Sequence, residues 1–263
     1  MQGPVKVVMD CTKSYYVAVI NRRHVSLCLA LVLLLLHALL LVLSTSCHSP
    51  VTGEVGHLSA GVSHLLFGRY DLFRVNPPLV RTLAAVPVVV ASPTLNWAYY
   101  DANPLERREF LVEHDFFCAN AEKLPSLVTV ARWTCISFSV IAGIICYWWA
   151  GRLYGKLAGL VAMSMWCFSP SILGHASLIT PDAHAAAVGL AACYLFWRWL
   201  QTPQWSKALT AGILLGFAEL CKFTLLIFYP TWVLLWLLHR LSERRSMNKH
   251  DWFWRPCKKS CVS

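Results

Sequence analysis

Charged residues are scarce in this sequence. They make up 14% of the 263 residues, with 13 acidic against 23 basic side chains, whereas hydrophobic residues make up 57%. A soluble domain has about 25% charged residues, so the composition excludes an ordinary soluble domain and indicates a multi-pass membrane protein. The net charge of +10 does not point to nucleic acid, because the basic residues lie mainly in loops and at the two ends, as the positive-inside rule describes.

Internal repeats and low-complexity segments are also lacking, and the missing repeat weighs against a small transporter or channel. The 11 cysteines fall mostly within apolar runs, where cysteine acts as a small hydrophobic residue. Cys47 and Cys118 are exceptions, since both lie in segments predicted to be external. They could form a disulfide there or remain as free thiols.

The long apolar runs predict an all-α, polytopic transmembrane bundle of about six spans, with interfacial helices in the first external loop. Lys6, Lys13, Arg22 and Arg23 precede the first run, so residues 1–24 are predicted to be a cytoplasmic segment. The predicted spans are 25–46, 126–150, 157–174, 183–201 and two that share 208–239 on either side of Lys222.

This arrangement predicts a transmembrane domain over residues 25–240, with external loops at 47–125 and 175–182. A basic tail, 241–263, is predicted to be cytoplasmic, so both termini are expected on the cytoplasmic side of the membrane. The membrane is expected to be the inner membrane of a bacterial cell. The apolar stretch 79–92 is short, contains Pro87 and Arg81, and predicts a re-entrant or interfacial helix rather than a crossing.

The stretch from residue 53 to 79 follows the first span and carries a carboxylate, Glu54. Residues 54–67 predict a helix with Thr52 as its N-cap and Gly68 at its end. One interpretation is an interfacial amphipathic helix, with an apolar stripe formed by Val55, Leu58, Val62, Leu65 and Leu66. The other is a functional surface, because Glu54, His57, Gly61 and His64 form a second stripe beside the first. We call these four residues the polar stripe.

Two further polar groups are predicted to lie on the same side of the membrane. Asp182 follows Thr180 and Pro181, an arrangement typical of a helix start, so it could simply favour the positive end of that helix. Lys222 interrupts an apolar run and must either reach the interface or meet an anion. A lipid phosphate or Glu219, one turn earlier, could supply that anion.

Three segments together resemble a known superfamily, and they occur in its order. They are GEVGHLSAGVSHLLFGRYDLFRVNPPLVRTLAAVP from residue 53, SPSILGHASLITPD from residue 169, and LLGFAELCKFTLLIFYP from residue 214. They are similar to the first external loop, the second external loop and a lysine-containing span of GT-C glycosyltransferases that use polyprenyl-phosphate sugars. Protein O-mannosyltransferases and lipid A aminoarabinose transferases are members of that superfamily.

The resemblance implies inverting sugar transfer at the outer membrane face from a polyprenyl-phosphate donor to an unidentified acceptor hydroxyl. It implies that Glu54 and Asp182 are catalytic. It also implies a substrate-binding set consisting of His57, Arg74, Asn76, His175 and Lys222, with Lys222 on the lipid phosphate. A protein cation or a divalent metal ion would stabilise the departing phosphate, and the cofactor is left open.

Two departures from the superfamily pattern leave an alternative function open. Gly53 stands where relatives carry their usual catalytic aspartate, and relatives continue with further spans after the sixth. The chain could therefore be an inactive or truncated member that binds the lipid carrier or a partner subunit without transferring a sugar.

Overall fold

The computed structural model describes the backbone of residues 4–101 and 107–253, and the side chains of residues 24–101 and 107–243. The described residues form helices joined by turns, which confirms the predicted all-α class. The helices are α1 Pro4–Cys47, α2 Glu54–Phe67, α3 Leu79–Val90, α4 Arg108–Ala119, α5 Leu124–Tyr154, α6 Lys156–Cys167, α7 Pro170–His175, α8 Pro181–Gln201, α9 Trp205–Cys221, a 3₁₀ turn Phe223–Ile227, and α10 Phe228–Phe253.

Among the described residues, three segments are long and apolar enough to cross a membrane: His24–Cys47, Leu124–Tyr154 and Phe223–Glu243. Leu31 and Leu35 of the first segment are 57% and 61% exposed. Exposure of this kind is expected for side chains that face lipid. The chain is therefore a helical membrane protein, whereas the count of six spans and the side on which each terminus lies stay predictions.

The first and last helices extend beyond the predicted ends of the transmembrane domain. Helix α1 is continuous from Pro4 through the first apolar run, so no boundary separates residues 1–24 from the span. Helix α10 likewise continues to Phe253. The predicted basic tail, 241–263, lies mostly outside the residues whose side chains are described.

Two internal segments also differ from their predicted form. The predicted span 157–174 is divided, because α6 ends at Cys167 and α7 begins at Pro170. Ser169 between them is extended, as expected for a residue before proline. The predicted loop 93–125 contains a helix of its own, α4, in which Val112 and Phe116 are buried.

Other predictions at this level are confirmed. The long run 208–239 is divided at Lys222, whose backbone is extended between α9 and the 3₁₀ turn. The stretch 79–92 forms the short helix α3, with Pro87 inside it. Cys47 and Cys118, considered as a possible pair, are both free thiols.

The main core joins α2 and α3 to α5. Helices α2, α3 and α5 each contribute apolar side chains that are almost fully buried: Val55, Leu58 and Val62 from α2; Val80, Ala84 and Val88 from α3; Leu124, Val128 and Ala131 from α5. Each valine and leucine among them contributes roughly 1.5–3 kcal/mol of burial free energy. This packing holds α2 against α3 and α5, with only its last residues exposed.

Glycine fixes how closely α2 and α3 approach each other. A Cβ atom at Gly61 would lie 2.1 Å from the main-chain oxygen of Arg81, a distance that no side chain tolerates. Gly61 belongs to the polar stripe, where the sequence predicted a close approach, and the approaching group is the backbone of α3. At the end of α2, Gly68 adopts the left-handed conformation with φ 65°, which confirms the predicted stop.

Candidate functional site

All four residues of the polar stripe are buried along α2. The N-cap of the helix is Gly53, with φ 86°, and not Thr52 as predicted. The left-handed backbone of Gly53 makes the turn that directs Glu54 inward. A Cβ atom at Gly53 would meet nothing within 4 Å, so the space beside the start of α2 is open.

Glu54 is fully buried and forms an ion pair with Arg132 of α5, which is 1% exposed. Arg132 Nε donates to Glu54 Oε1 over 3.0 Å, and Nη2 donates to Oε2 over 2.5 Å. A bidentate pair with this geometry is among the strongest side-chain contacts, because both donors and both acceptors are charged.

Backbone groups complete the environment of this pair. The amide of Val51 donates to Glu54 Oε2 over 2.9 Å, and the amide of Ile179 donates to Oε1 over 3.0 Å. Arg132 in turn donates to the main-chain oxygens of Thr45, His48 and Ser49. The pair therefore connects the end of α1, the start of α2, α5 and the loop before α8, and it leaves neither oxygen of Glu54 without a donor.

The second carboxylate, Asp182, forms an ion pair with Lys222. Asp182 lies in the first turn of α8, and the side chains of the pair are 58% and 34% exposed. The predicted partner Glu219 instead accepts a hydrogen bond from Tyr229 over 3.3 Å. The hydroxyl of Thr180 makes no capping bond, although Thr180 is the N-cap of α8 as predicted.

His57 is a buried histidine of α2 on which the charges of both carboxylates act. It is 8% exposed, and its ring lies 4.9 Å from the ring of Phe73. Burial and the positive charge of Arg81 lower the pKa of His57 to about 4, while Glu54 and Asp182 act in the opposite direction. The charges of Arg81, Glu54 and Asp182 therefore all act on this one imidazole.

The other predicted substrate-binding residues are bonded to groups close to them in sequence. Arg74 is exposed and donates to the main-chain oxygen of Asp71 over 3.2 Å. Asn76 is half-buried, and its main-chain oxygen accepts from Arg81. His175 is exposed and is bonded to the oxygen of Ser171 within its own helix. Contact with a substrate at these three residues stays a prediction.

An apolar cavity of about 330 Å³ lies between α3, α5, α8 and α9. Its walls are apolar side chains: Leu79, Leu83, Phe138, Ile141, Ala187, Val188, Ala191, Leu214 and Phe217. Ala187 and Phe217 are each five residues from the Asp182–Lys222 pair along their helices, which is about 7.5 Å of helix. The cavity thus begins roughly one and a half turns from the ion pair.

Sequence reasoning missed three residues of the site. Arg132 and Arg81 occur within apolar stretches, and nothing local indicates what each one contacts. Glu113 of α4 lies at the start of α2, since its Oε2 is 2.7 Å from the position of a Cβ atom on Gly56. Burial raises the pKa of Glu113, and a bond from the Gly56 amide opposes that shift.

The described residues contain no group of three or more histidine, cysteine or acidic side chains placed to hold a metal ion. The identity of any cofactor therefore stays open.

Lowering the pH from 7 to 5 is expected to destabilise the fold through His57 and His64. Burial lowers the pKa of each to about 4, against about 6.5 unfolded. Below pH 6.5 the unfolded chain takes up protons that the folded chain does not, so stability falls by roughly 1 kcal/mol per pH unit for each histidine. Thermal unfolding in detergent at the two pH values measures the effect.

The variants His57→Gln and His64→Gln should each remove the contribution of one histidine, roughly 1 kcal/mol per pH unit. His175→Gln, which changes an exposed histidine, is the matched control and should leave it unchanged. Equal unfolding temperatures at pH 7 and pH 5 in the unaltered protein would contradict the expectation.

One family model matches the chain, over residues 124–257, and describes a dolichyl-phosphate-mannose-protein mannosyltransferase. The match covers 134 of the 263 residues, just over half, and includes Arg132, Asp182 and Lys222 but not α2 or α3. No curated protein and no solved structure matches the chain. The helical membrane fold and this match together show that the chain belongs to the dolichyl-phosphate-mannose-protein mannosyltransferase family, membrane glycosyltransferases that use a polyprenyl-phosphate-linked sugar.

Proposed function

We propose that the chain transfers a sugar from a polyprenyl phosphate to an acceptor hydroxyl at the outer face of the membrane, with inversion at the anomeric carbon. The observation that carries the proposal is the half-exposed Asp182–Lys222 pair, which lies about one and a half helical turns along α8 and α9 from an apolar cavity. A polyprenyl-phosphate sugar has the matching form, because an apolar chain is joined to an anionic head that carries the sugar.

Charge balance suggests how the pair would act. The acceptor hydroxyl gives its proton to Asp182 as its oxygen bonds to the anomeric carbon. The bond from that carbon to the phosphate oxygen breaks, and its electrons stay on the phosphate, which becomes doubly negative. Once Asp182 is protonated it no longer attracts Lys222, so the lysine is released to stabilise the phosphate.

Glu54 is retained in the proposal as the second catalytic carboxylate. Both of its oxygens are already bonded to Arg132 and to backbone amides, so Arg132 must release it before it can accept a proton. Asp182 needs only to release Lys222, which is partly exposed. The geometry therefore supports Asp182 more strongly than Glu54 as the base that the acceptor reaches.

Lys222→Met is expected to lower sugar transfer roughly 100- to 1,000-fold, because the departing phosphate loses its cation. The assay uses purified protein in proteoliposomes with a polyprenyl-phosphate-linked mannose as donor and short hydroxyl-containing peptides or sugars as acceptors. Lys207→Met removes a positive charge from the opposite end of α9 and should transfer like the unaltered chain. Equal activity of the two variants would contradict the proposed role of Lys222.

A second candidate function has one observation in its favour. Gly53 has no carboxylate, and the space beside it is empty. The next residue, Glu54, is held in an ion pair with Arg132. A protein with these features could bind the lipid carrier without transferring a sugar. Carrier binding without donor turnover in the same proteoliposomes would support this alternative over transfer.

A further inference from the structure

The structure describes three buried arginine side chains, and one of them differs from the other two. Arg132 pairs with Glu54, and Arg108 pairs with Asp71. Arg81, which is 3% exposed, forms no ion pair with any carboxylate whose side chain is described. A buried charge without a counter-charge is strongly unfavourable, so Arg81 requires an explanation that the other two do not.

The hydrogen bonds of Arg81 are incomplete as well. Nη2 donates to the main-chain oxygens of Phe73 over 3.0 Å and Asn76 over 2.5 Å. The nitrogens Nε and Nη1 are buried and meet no acceptor in the described part of the chain. Nε carries one hydrogen and Nη1 carries two, so most of the donors of this guanidinium are unused.

The groups around Arg81 do not cancel its charge. Its positive charge reaches His57 and His64, and the pKa of each is about 4, so both are neutral at pH 7. Burial lowers the pKa of Arg81 itself to about 10, so the guanidinium stays protonated. Glu54 and Asp182, which also act on His57, are already paired with Arg132 and Lys222.

Arg81 also holds the turn between α2 and α3. Phe73 in this turn has φ 52°, which is unusual for a bulky residue, and its main-chain oxygen accepts from Arg81. The Phe73 ring lies over His57. Arg81 is therefore placed under a turn that carries the exposed Arg74 and the half-buried Asn76, beside His57.

We infer that Arg81 binds an oxyanion and that this anion is the phosphate of the polyprenyl carrier; the choice of phosphate rests on the proposed function. The intact donor is a phosphodiester with one negative charge, which one unpaired cation balances. The product is a monoester with a second negative charge, which the released Lys222 balances. Arg81 thus holds the phosphate before and after transfer, and Lys222 acts as the charge develops.

Binding, measured separately from sugar transfer, tests this inference. The full chain is purified in detergent and titrated with a polyprenyl monophosphate, with the matching polyprenol, or with inorganic phosphate, and its unfolding temperature is followed. The variants are Arg81→Lys, which keeps the charge but loses the planar set of donors, and Arg81→Gln. Arg107→Gln, at an arginine that is 65% exposed, is the charge-matched control for Arg81→Gln.

We expect the polyprenyl monophosphate to stabilise the unaltered chain and Arg107→Gln, and the polyprenol to have a much smaller effect. Affinity should fall at least about 10-fold in Arg81→Lys and further in Arg81→Gln. If Arg81→Gln does not fold, Arg81→Lys carries the test. Stabilisation by inorganic phosphate equal to that by the lipid would support the oxyanion site but assign it to free phosphate.

Wild-type affinity in well-folded Arg81→Lys and Arg81→Gln would overturn the inference, and so would equal binding of the polyprenol and its phosphate. The transfer assay separates this result from the proposed function. Donor turnover without Arg81-dependent binding refutes the inference alone. Arg81-dependent binding without any turnover leaves the anion site in place and refutes the proposed transferase.

Discussion

Asp182→Asn is expected to lower the rate of sugar transfer roughly 100- to 10,000-fold, the usual contribution of a general base. The amide cannot accept the proton of the acceptor hydroxyl, so no base at this position removes that proton as the oxygen attacks the anomeric carbon. The side chain of Asp182 is 58% exposed, so its ion pair contributes little stability. The turnover number at saturating donor measures the effect.

Glu122→Gln is the matched control for this variant, because it neutralises an exposed carboxylate at the start of α5 and away from Lys222. It should keep the activity of the unaltered chain, and both variants should unfold at the same temperature. Transfer by Asp182→Asn at the rate of the control would remove Asp182 from the mechanism and leave Glu54 as the remaining assigned base.

Removing one partner of the Glu54–Arg132 pair is expected to cost about 3–5 kcal/mol of unfolding free energy, since the other charge is left buried. Both side chains are at most 1% exposed, so solvent cannot compensate. Glu54→Gln and Arg132→Met are the single variants, and denaturant unfolding in detergent measures them. Arg69→Gln breaks two ion pairs, with Asp71 and Asp101, of an arginine that is 46% exposed, and it should cost less than the loss of the buried pair.

The double variant Glu54→Gln with Arg132→Met distinguishes the two possible roles of Glu54. With both charges removed, we expect it to be more stable than either single variant. Recovered stability without recovered transfer would support the proposed catalytic role. Recovery of both would show that Glu54 acts by positioning α2 and α5. Single variants as stable as the unaltered chain would contradict the buried pair itself.

Local patterns in the sequence were sufficient for most of the helical framework. Apolar runs predicted helices at α1, α5 and α8, and the change at Lys222 correctly predicted the break in the long run 208–239. The division between α6 and α7 was missed, although the Ser169-Pro170 dipeptide is a local signal for it. Helix α4 was also missed, because its charged face resembles a solvated loop.

Local sequence patterns could not predict which residues form ion pairs with the two carboxylates, because the partners are distant in sequence. Glu54 and Asp182 were singled out as functional carboxylates, but their partners depend on how helices pack. Arg132 is 78 residues from Glu54 and Lys222 is 40 from Asp182. Glu219, which the sequence suggested as a partner for Lys222, lies on α9 and accepts a hydrogen bond from Tyr229 instead. Burial of Arg81 likewise depends on the approach of α2 to α3 at Gly61.

The open position beside Gly53 shows why the resemblance could not decide the mechanism alone. The sequence shows that the usual acidic residue is absent, but not whether another carboxylate is near. In the fold, Glu113 lies at the first turn of α2. This neighbour cannot be inferred from residues 53–79.

The central claim is that the donor lies in the apolar cavity between α3, α5, α8 and α9. Photo-crosslinking of the carrier chain tests this claim most directly. A polyprenyl phosphate with a diazirine near its phosphate end is irradiated with the membrane-embedded protein, and labelled peptides are mapped by mass spectrometry. The account predicts labels on the cavity residues of α8 and α9, such as Ala187 and Phe217, that excess unlabelled carrier suppresses. Labels confined to the exposed face of α1, around Leu31 and Leu35, would contradict it.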